Sequence, residues 1–389
     1  MSTSATYDIA IIGAGLAGLS LAIRLAEPRF AGLSVLVIEP RTHYCRDRTW
    51  SGWSMQAHPF QAAVEASWDH WSVVTSERKV VRDAPGLRYE SIPANRLYDL
   101  ALERIGTAPH ITLRQGQSAS AEEDETGVQL RFGRDTARAR LAFDTRPAPG
   151  LRSHGLTQMF LGWEVETRDD VFDPSTALLM DFGTVQAGAA HFTYVLPYTR
   201  RRALVEDTWF APPDLHSQDH ATAIRDYLRV RYGVTDFGIV FEERGALPMN
   251  PVFRPATGKR LLPFGTAGGA GRPSTGYAFN AIQAECDTVV ADLAAGRTPG
   301  RATQRPGVIQ LMDSVLLDML GHRPELAATL FAGLFDRCEP RTLIRFLNDC
   351  ASLADLFAVG LAMPFATTTM ATLRLLARRI EWRLPAIAG

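Results

Sequence analysis

The sequence predicts an α/β protein with a dinucleotide-binding domain, an inserted antiparallel β-sheet domain and a helical C-terminal region. Three observations carry this prediction. Residues 7–39 give an apolar strand, a glycine-rich turn, a helix and a second apolar strand in that order. Residues 158–210 repeat the alternating pattern of half-buried strands, and residues 308–384 are largely apolar with helical character.

The first unit begins with an apolar run, residues 9–12, which is short enough for a buried parallel strand. The motif G-x-G-x-x-G follows at Gly13, Gly15 and Gly18, and a helix-forming segment covers 16–27. Gly13 allows a tight turn, Gly15 lets a pyrophosphate approach the backbone, and Gly18 lets the helix pack on the strand. The helix N-terminus offers unpaired N–H groups to the phosphates.

The second strand, 35–38, ends in Glu39, which lies 21 residues after Gly18. A carboxylate at this position accepts hydrogen bonds from an adenosine ribose. A lone G-x-G-x-x-G motif is a weak signal, and a glycine-rich turn in some other α/β unit is the alternative. Because strand, loop, helix, strand and acid occur here in order, the unit predicts a bound dinucleotide.

The composition excludes several classes of protein. The 389 residues include 41 Lys and Arg against 42 Asp and Glu, so the charge balance gives no general case for nucleic-acid binding. No basic segment precedes the first apolar stretch, which is therefore not a signal peptide. The longest uncharged run, 356–373, contains Pro364 and is not predicted to span a membrane.

Neither the cysteines nor the histidines have the spacing of metal ligands, so no metal is predicted. The cysteines form no C-x-x-C pair, which indicates reduced and mostly buried thiols in a cytosolic protein. They are Cys45, Cys286, Cys338 and Cys350.

The segment after Glu39 is rich in tryptophan, with four of the seven between residues 41 and 71. These side chains either form a core or line a long apolar pocket. A helix is predicted over 93–105. Further strands are predicted at 111–114, 127–132, 137–143, 159–167, 177–183, 191–199, 201–210 and 240–248, with a helix at 216–231.

A second glycine-rich loop, 265–276, follows a short apolar strand at 261–264 and precedes a helix predicted over 277–293. A late loop that places a second helix N-terminus in this way is typical of flavin enzymes with this topology.

Seven motifs together resemble the bacterial lycopene β-cyclases, in order from about residue 7 to residue 300. They are Tyr7–Glu39, Arg46–Trp50, Asn95–Tyr98, Phe160–Glu164, Val205–Thr208, Gly245–Pro248 and Thr275–Tyr277. The resemblance implies a flavoprotein with a Rossmann-type, p-hydroxybenzoate-hydroxylase-like fold. It also implies FAD in its reduced form, NAD(P)H as the reductant, and conversion of the ψ ends of lycopene into β-ionone rings without net oxidation.

On this reading the chain divides into three regions. The FAD-binding domain comprises 1–45, 80–150 and 255–300; the substrate-binding β-sheet domain comprises 46–79 and 151–254; the helical region is 301–389.

Cyclisation of a ψ end requires a proton donor in dry surroundings, aromatic faces for a carbocation and a proton acceptor. Glu206 lies among apolar strand neighbours, where a buried carboxyl group keeps its proton near neutrality. It matches the family's essential acid. Strand alternation places Asp207 on the opposite face. Glu164 matches another family acid and is the second candidate.

Each of these roles has an alternative. Glu206 could instead pair with an arginine, and Glu164 could be an exposed strand carboxylate. For Arg96, which the resemblance places at the pyrophosphate, the alternative is an ordinary surface arginine.

Gly265 is followed by Thr266, whereas related monooxygenases carry Gly-Asp there, and this weakens an oxygen-inserting role.

The resemblance also implies a set of cofactor-binding residues beyond the first glycine motif. Thr275 and Gly276 are expected at a helix N-terminus that stabilises the negative charge of a reduced flavin. The remaining members are Arg48, Arg96, Asp144, Gly268 and Gly269.

The C-terminal helices are expected to cap the substrate domain, to dock on lipid, or both, since a C40 hydrocarbon resides in the bilayer. The expected partners are therefore a long apolar carotenoid and a membrane surface. The protein is expected to be cytoplasmic and peripheral at the inner face of the membrane. Three other readings stay open at this point: a flavin cyclase of another long isoprenoid, an NAD(P)H-dependent aromatic hydroxylase, and a non-enzymatic flavin- or lipid-binding protein.

Overall fold

The computed structural model of the protein describes residues 5–147, 155–184, 186–212, 215, 219–251, 254, 258–301 and 305–381. In chain order the strands are β1 (Ala5–Ile12), β2 (Val35–Glu39), β3 (Thr49–Trp53), β4 (Ala66–Trp68), β5 (His70–Val74), β6 (Lys79–Asp83), β7 (Tyr89–Pro93), β8 (Ile111–Gln115), β9 (Ala119–Asp124), β10 (Gly127–Phe132), β11 (Asp135–Asp144), β12 (Thr157–Thr167), β13 (Thr176–Asp181), β14 (Ala190–Pro197), β15 (Arg202–Ala211), β16 (Phe237–Pro248) and β17 (Leu261–Pro263). The helices are α1 (Leu16–Leu25), α2 (Ala94–Gly106), α3 (His220–Tyr232), α4 (Phe279–Ala294), α5 (Gly307–His322), α6 (Ala327–Arg337), α7 (Pro340–Leu347), α8 (Leu353–Ala362) and α9 (Phe365–Glu381).

The first sheet has seven strands in the order β8-β2-β1-β11-β10-β9, with β17 added beside β11. Its centre is parallel, and β2 is buried along its whole length because helices cover the sheet. The side chains of α1, α2 and α4 form one apolar core with these strands. The predicted strand–turn–helix–strand unit is confirmed. The edge strand β9 was not predicted, since its sequence is mostly polar.

The second sheet has seven strands in the order β16-β12-β15-β14-β13-β5-β6. Its pairs are antiparallel except for β13 with β5, so the predicted inserted antiparallel sheet is confirmed. One face packs against α3 and the other joins the core formed with the C-terminal helices. A residue's parity along β15 therefore decides which of two environments it enters.

A third sheet, β3-β7-β4, lies in the tryptophan-rich part of the chain and was not predicted. Its strands are three to five residues long, which is too short for alternation to be recognised in the sequence. Trp53 and Trp68 are buried in the core shared with the second sheet. Sheet pairing also places Lys79–Asp83 in the second sheet beside β5, although residues from 80 onward were predicted to belong to the FAD-binding domain.

The predicted helical character of the C-terminal region is confirmed by α5 to α9, while residues 382–384 lie outside the described part of the chain. The helix predicted over 216–231 is observed as α3, with Asp219 as its N-cap and Gly233 ending it at a φ of 70°. The predicted first residues, 216–218, are outside the described residues.

No single described helix is both long enough and apolar enough to cross a bilayer. Two consecutive segments, Leu353–Ala362 and Phe365–Ala377, satisfy the length and composition criteria only when taken together, and they are bent by 111° relative to each other.

Candidate active site

The first glycine loop combines close packing with an open face. Gly13 has a φ of +95°, a backbone conformation that side chains other than hydrogen disfavour. A Cβ on Gly18 would lie 1.9 Å from the carbonyl oxygen of Gly13, so the helix can approach the strand only if this residue is glycine. Gly15 begins α1 without a side-chain cap, which leaves the helix N–H groups for a ligand.

Glu39 lies buried at the end of β2, beside this loop. Its Oε2 accepts a hydrogen bond of 2.5 Å from the backbone N–H of Ala14, and its Oε1 accepts one of 2.7 Å from Nε of Arg41. The carboxylate is therefore fixed at the edge of the glycine loop, where the sequence predicted a ribose contact.

The second glycine loop packs directly against the start of α1. A Cβ on Gly265 would lie 2.4 Å from Cβ of Ala17, and one on Gly268 would lie 2.9 Å from the oxygen of Pro263. Gly269 then turns the chain with a φ of +98°. Because both loops present backbone at the N-terminus of α1, the residues present fit a dinucleotide that lies across them.

Thr275 and Gly276 do not begin a helix, and this prediction was wrong. The N–H groups of both residues donate to the carbonyl oxygen of Arg272, and Gly276 has a φ of 70°. This turn delays α4 until Phe279, so its first N–H groups lie beyond Thr275 and Gly276.

The other predicted cofactor residues occupy different environments. Arg48 is 60% exposed beside Asp47, and Arg96 on α2 lies 3.6 Å from Glu65. Asp144 is buried at the end of β11, where Nη2 of Arg146 lies 2.6 Å from its Oδ2 and Arg254 also contacts it. Its carbonyl oxygen accepts from the N–H of Phe264, at the start of the second glycine loop. Their contacts with a cofactor stay predictions.

Glu206 lies in the middle of β15, with Gly162 opposite it on β12 and Tyr194 opposite it on β14. The hydroxyl of Thr208 donates a hydrogen bond of 2.8 Å to its Oε1. Burial, with a smaller contribution from the negative charge of Glu243, raises the pKa of Glu206 to about 8, while the hydrogen bond from Thr208 opposes the shift. None of the ion pairs among the described residues includes Glu206, so the alternative of an arginine partner finds no support there.

Tyr194, opposite Glu206 on β14, belongs to a cluster of aromatic side chains from distant parts of the chain. The hydroxyl oxygen of Tyr89 lies 3.0 Å from that of Tyr194 and 3.5 Å from that of Tyr277. The ring of Trp53 packs edge-on against Tyr89, with centroids 4.9 Å apart, and also contacts Tyr277. Burial raises the pKa of all three tyrosines, which therefore stay neutral.

Asp207 points to the opposite face of the sheet, as alternation along the strand predicted. It is buried and accepts hydrogen bonds from Nε2 of His191 at 2.5 Å, Nδ1 of His220 at 2.7 Å and Nε1 of Trp209 at 2.9 Å. Burial by itself would raise the pKa of Asp207, but the bonds from the two histidines and the tryptophan hold it below its ordinary value.

Glu164 is buried on β12, so the alternative of an exposed carboxylate was wrong. Nη1 of Arg46 lies 2.6 Å from its Oε2, and Nε of Arg202 lies 3.2 Å from its Oε1. The guanidinium of Arg46 also stacks over Phe241, 4.0 Å from the ring centroid. Two arginines from separate segments thus contact this carboxyl group. Its catalytic role stays a prediction.

Comparison with known families decides where the chain belongs. The family model described as lycopene cyclase protein matches residues 8–373. The chain belongs to the lycopene cyclase family.

Several members of the lycopene cyclase family are similar over most of the chain. A lycopene beta-cyclase from Paracoccus sp. (strain N81106 / MBIC 01143) is 30% identical over 292 residues, which cover 70% of this chain and 70% of that protein. One from Pseudescherichia vulneris is 26% identical over 384 residues, covering 90% of this chain and 92% of the relative.

Solved structures with this fold are flavin-dependent enzymes and a reductase-like protein. A geranylgeranyl bacteriochlorophyll reductase-like protein from Thermoplasma acidophilum has a TM-score of 0.63 at 15% identity, covering 92% of this chain and 96% of that chain. The flavin-dependent monooxygenase PieE, solved with FAD and substrate, has a TM-score of 0.59 at 18% identity, covering 94% and 72%. The flavin-dependent brominase Bmp2 has a TM-score of 0.61 at 16% identity, covering 92% and 97%. The predicted p-hydroxybenzoate-hydroxylase-like fold is therefore confirmed.

Sequence reasoning missed one acid at the centre of this lycopene cyclase site. Glu243 is buried on β16 and lies opposite Gly162 of β12. Glu206 lies opposite the same glycine, on the strand that flanks β12 on its other side. Its signal in the sequence is weak: it is the second of two adjacent glutamates in a predicted strand, just before the motif that begins at Gly245. Tyr89 and Tyr194 had no signal, because sheet pairing places Tyr194 beside Glu206 and the packing of a separate sheet brings Tyr89 to Tyr194.

Proposed function

We propose that this protein converts the ψ ends of lycopene into β-ionone rings by acid–base chemistry, as a redox-neutral cyclase. The observation that carries this proposal is Glu206, a carboxyl group whose pKa burial raises to about 8, beside the partly buried rings of Tyr194 and Tyr277. The relatives named lycopene beta-cyclase support the same reaction. The number of rings formed per molecule is not part of the proposal.

The residues around Glu206 meet the requirements of each step. The carboxyl group of Glu206 gives its proton to the terminal C=C bond, which leaves a tertiary carbocation. The neighbouring alkene attacks this cation and closes the ring. The faces of Trp53, Tyr89, Tyr194 and Tyr277 stabilise the positive charge while they exclude water. Loss of a ring proton to a carboxylate then completes an isomerisation that consumes no electrons.

FAD is the proposed cofactor, and the two glycine loops are the residues that fit it. The N-terminus of α1 at Gly15 would receive the pyrophosphate, Glu39 the ribose, and the backbone of Gly268 and Gly269 the flavin end. When bound in its reduced form, the flavin supplies negative charge that stabilises a nearby carbocation. NAD(P)H is the proposed reductant, needed to load the cofactor rather than to form each ring.

The apolar substrate is proposed to arrive from a bilayer through the C-terminal helices. Large apolar side chains on α8 and α9 face outward: Leu353 is 83% exposed, Phe357 70% and Phe365 85%. Leu353, Phe357 and Leu361 recur at four-residue spacing, so they form one continuous ridge. An apolar ridge of this kind suits the lipid boundary. We propose that the protein is cytoplasmic and binds peripherally to the inner face of the membrane.

The predicted arginine border of this surface is only partly described. Arg374 on α9 is directed toward Asp318 on α5, with Nη2 2.5 Å from Oδ2. The side chains of Arg378 and Arg379, together with the whole of Arg383, lie outside the described residues.

Expression in a lycopene-accumulating cell tests the proposed function most directly. We expect pigments with β-ionone rings, with a product mass equal to the mass of lycopene and with deuterium gained in each ring when the reaction runs in D₂O. Oxygen consumption with stoichiometric oxidation of NAD(P)H would instead make the protein a hydroxylase. Unchanged lycopene from a folded, flavin-loaded protein would overturn the proposal.

Flavin release tests the cofactor assignment independently of turnover. The purified protein should release FAD on denaturation, and Gly15→Val should lose it, because a side chain at this position blocks the phosphates. Gly32→Val is the matched control, since no atom lies within 4 Å of a Cβ built on Gly32. Full FAD content in Gly15→Val would contradict the assignment.

Liposome co-sedimentation tests the proposed lipid contact. Replacing Phe357 and Leu361 by serine should weaken binding by about tenfold or more, because each apolar side chain contributes roughly 1.5–3 kcal/mol when it is fully buried. The control is Val230→Ser on α3, which alters an exposed apolar residue away from the ridge. Equal partitioning of all three proteins would remove the ridge from the model of substrate entry.

A further inference from the structure

Two carboxyl groups lie over the same glycine in the second sheet. In the strand register, Gly162 on β12 is opposite Glu206 on β15 and opposite Glu243 on β16. A methyl group built on Gly162 would lie 3.5 Å from Oε2 of Glu206 and 3.1 Å from Cγ of Glu243. Because the central residue has no side chain, nothing from β12 separates the two acids.

The surroundings of Glu243 make it an incomplete hydrogen-bonding group. It is 6% exposed, and its Oε2 is buried without a hydrogen-bond partner among the described residues. Such an acceptor is costly unless a proton or a donor reaches it. A proton on one of the two carboxyl groups would relieve this cost. Burial therefore favours a pair in which one of the two glutamates is neutral.

Charged and titratable groups from several segments act on the pair. Arg46 and Arg48, both in the loop that leads into β3, act on Glu243, and Thr49 lowers its pKa as they do. Asp207, from the same strand, and Tyr194 and Tyr277, from neighbouring segments, act on or respond to Glu206. Arg46 is already directed at Glu164, so its charge is shared. Burial is the dominant influence on both glutamates.

Two buried carboxyl groups this close do not both ionise near neutral pH, because the second negative charge would be neither solvated nor paired. Burial raises the pKa of Glu206 to about 8 and that of Glu243 to about 7. These values belong to the pair, which passes through a state with one proton and a single negative charge.

We propose that Glu243 shares one proton with Glu206 and thereby keeps the proton donor protonated at neutral pH. Glu243 is a positioning residue: it acts through Glu206 and needs no contact with the substrate. The inference rests on the proposed cyclase function, which it deepens.

The proton balance closes within the pair. Glu206 gives the shared proton to the terminal alkene carbon, so the pair carries two negative charges while the substrate carries one positive charge. Ring closure moves the cation, and the ring proton returns to the pair when the new C=C bond forms. The net charge of the site is the same at every stage, and no oxidant, reductant or additional proton is consumed.

The pH profile of Glu243→Gln tests this inference. Glutamine preserves the shape of Glu243 but removes the charge that raises the pKa of Glu206, so Glu206 should ionise at lower pH. The alkaline limb of the activity profile should move down by about one pH unit, which is about a tenfold loss on that limb. The acid plateau, where wild-type Glu243 is itself neutral, should change far less.

Glu242→Gln is the matched control, because it makes the same chemical change one residue away. The side chain of Glu242 is 40% exposed on the other face, where its Oε2 accepts from Nε1 of Trp163 at 2.9 Å. This variant should keep the wild-type pH profile. A merely structural role for Glu243 would lower activity at all pH values without moving the limb.

Infrared titration reads the shared proton without turnover. Wild-type protein should show the C=O band of a buried protonated carboxyl group at neutral pH, and Glu206→Gln should remove or shift it. In Glu243→Gln the band should disappear at a lower pH than in the wild type. A wild-type protein with no such band near pH 7 would overturn the inference even if Glu243→Gln failed to fold.

The failures of the two proposals are distinguishable. If the wild type forms no rings, the cyclase proposal fails. If the wild type forms rings but Glu243→Gln keeps both the wild-type pH profile and the wild-type band, only the shared proton is wrong. Glu243→Asp, which withdraws the carboxyl group by one methylene, should give an intermediate shift in the same direction.

Discussion

Glu206 and Asp207 are adjacent acids on one strand, yet they are held in opposite protonation states. Burial raises the pKa of Glu206 to about 8, whereas the pKa of Asp207 lies below its ordinary value. Asp207 is 1% exposed and Glu206 is partly buried, and burial raises the pKa of each. The difference therefore lies in what each carboxyl group meets on its own face of the sheet.

Asp207 meets hydrogen-bond donors. Two imidazoles and the indole N–H of Trp209 bond to it, and each such bond favours the anion. Glu206 meets one hydroxyl group, neutral tyrosines and a second acid. The number of donors, rather than the depth of burial, decides which acid keeps its proton. The face toward α3 thus holds an acid paired with three donors, and the other face holds the acid whose pKa is raised.

The largest expected effect comes from removing that proton. Glu206→Gln should keep the fold and the flavin, because the amide is nearly isosteric, and should lower turnover by roughly 10²–10⁴-fold, as for other positioned acids. Cyclised product per flavin-loaded enzyme is the measurement. If Glu206→Gln turned over at the wild-type rate, Glu206 would be removed from the mechanism, although the family assignment would stand.

The opposite face should respond in stability instead. Asp207→Asn places an amide among three N–H donors and should lower the free energy of unfolding by about 2–4 kcal/mol. Activity per folded molecule should fall by less than about tenfold. Urea unfolding compares it with Asp226→Asn on α3, whose acid is 58% exposed and pairs with Arg229. A larger loss of activity than in Glu206→Gln would reverse the roles assigned to the two faces.

The pH dependence of stability should have opposite signs for the two acids. The stability that Asp207 contributes is present above its unfolded pKa of about 3.8 and is lost as the pH falls through the lower folded value. Glu206 keeps its proton when folded, so stability falls as the pH rises from about 4.5 to about 8. The steepest slope for one proton is about 1.4 kcal/mol per pH unit.

Thermal unfolding of variants isolates these two slopes. Glu206→Gln should gain stability relative to the wild type as the pH rises toward 8, and the gain should vanish near pH 4.5. The lower stability of Asp207→Asn relative to the wild type should disappear only at the acid end of the pH range. Parallel curves for both variants between pH 4.5 and pH 8 would show that the two carboxyl groups titrate alike.

The smallest expected effect concerns the aromatic enclosure. Tyr194→Leu removes the ring beside Glu206, and the loss of a desolvated cation–π contact, about 0.5–2 kcal/mol, should lower turnover by roughly 2–30-fold. Tyr194→Phe keeps the ring and should lie close to the wild type. Equal losses in the two variants would assign the effect to the hydroxyl group that contacts Tyr89 instead.

Local sequence predicted the two glycine loops, and together with the family resemblance it gave Glu206 as the candidate proton donor. The first glycine motif could be recognised in the sequence because the spacing of Gly13, Gly15 and Gly18 reflects backbone requirements within one strand–turn–helix unit. Glu206 and Asp207 were separable because alternation along a strand is a local property. The helical C-terminal region was predictable for the same reason, since its apolar helical character is local.

The errors arose where partners come from distant segments. The turn at Thr275 and Gly276 was mistaken for a helix start because its carbonyl acceptor, Arg272, is itself held by Asp313 on α5, with Nη2 2.8 Å from Oδ1. The placement of Glu164 between Arg46 and Arg202 likewise depends on distant segments. Arg46 and Glu164 are more than a hundred residues apart in the sequence. No local pattern encodes such pairings.

The sequence by itself therefore determined the fold class, the cofactor loops and one catalytic candidate, because each depends on periodicity or on backbone geometry within a short segment. Only the tertiary structure decided which groups surround the acids of the site. It placed Glu243 across Gly162 from Glu206 and gathered Tyr89, Tyr194 and Tyr277 around them. A carboxyl group's pKa depends on every charge and donor within a few ångströms, and here those groups come from strands that only sheet pairing brings together.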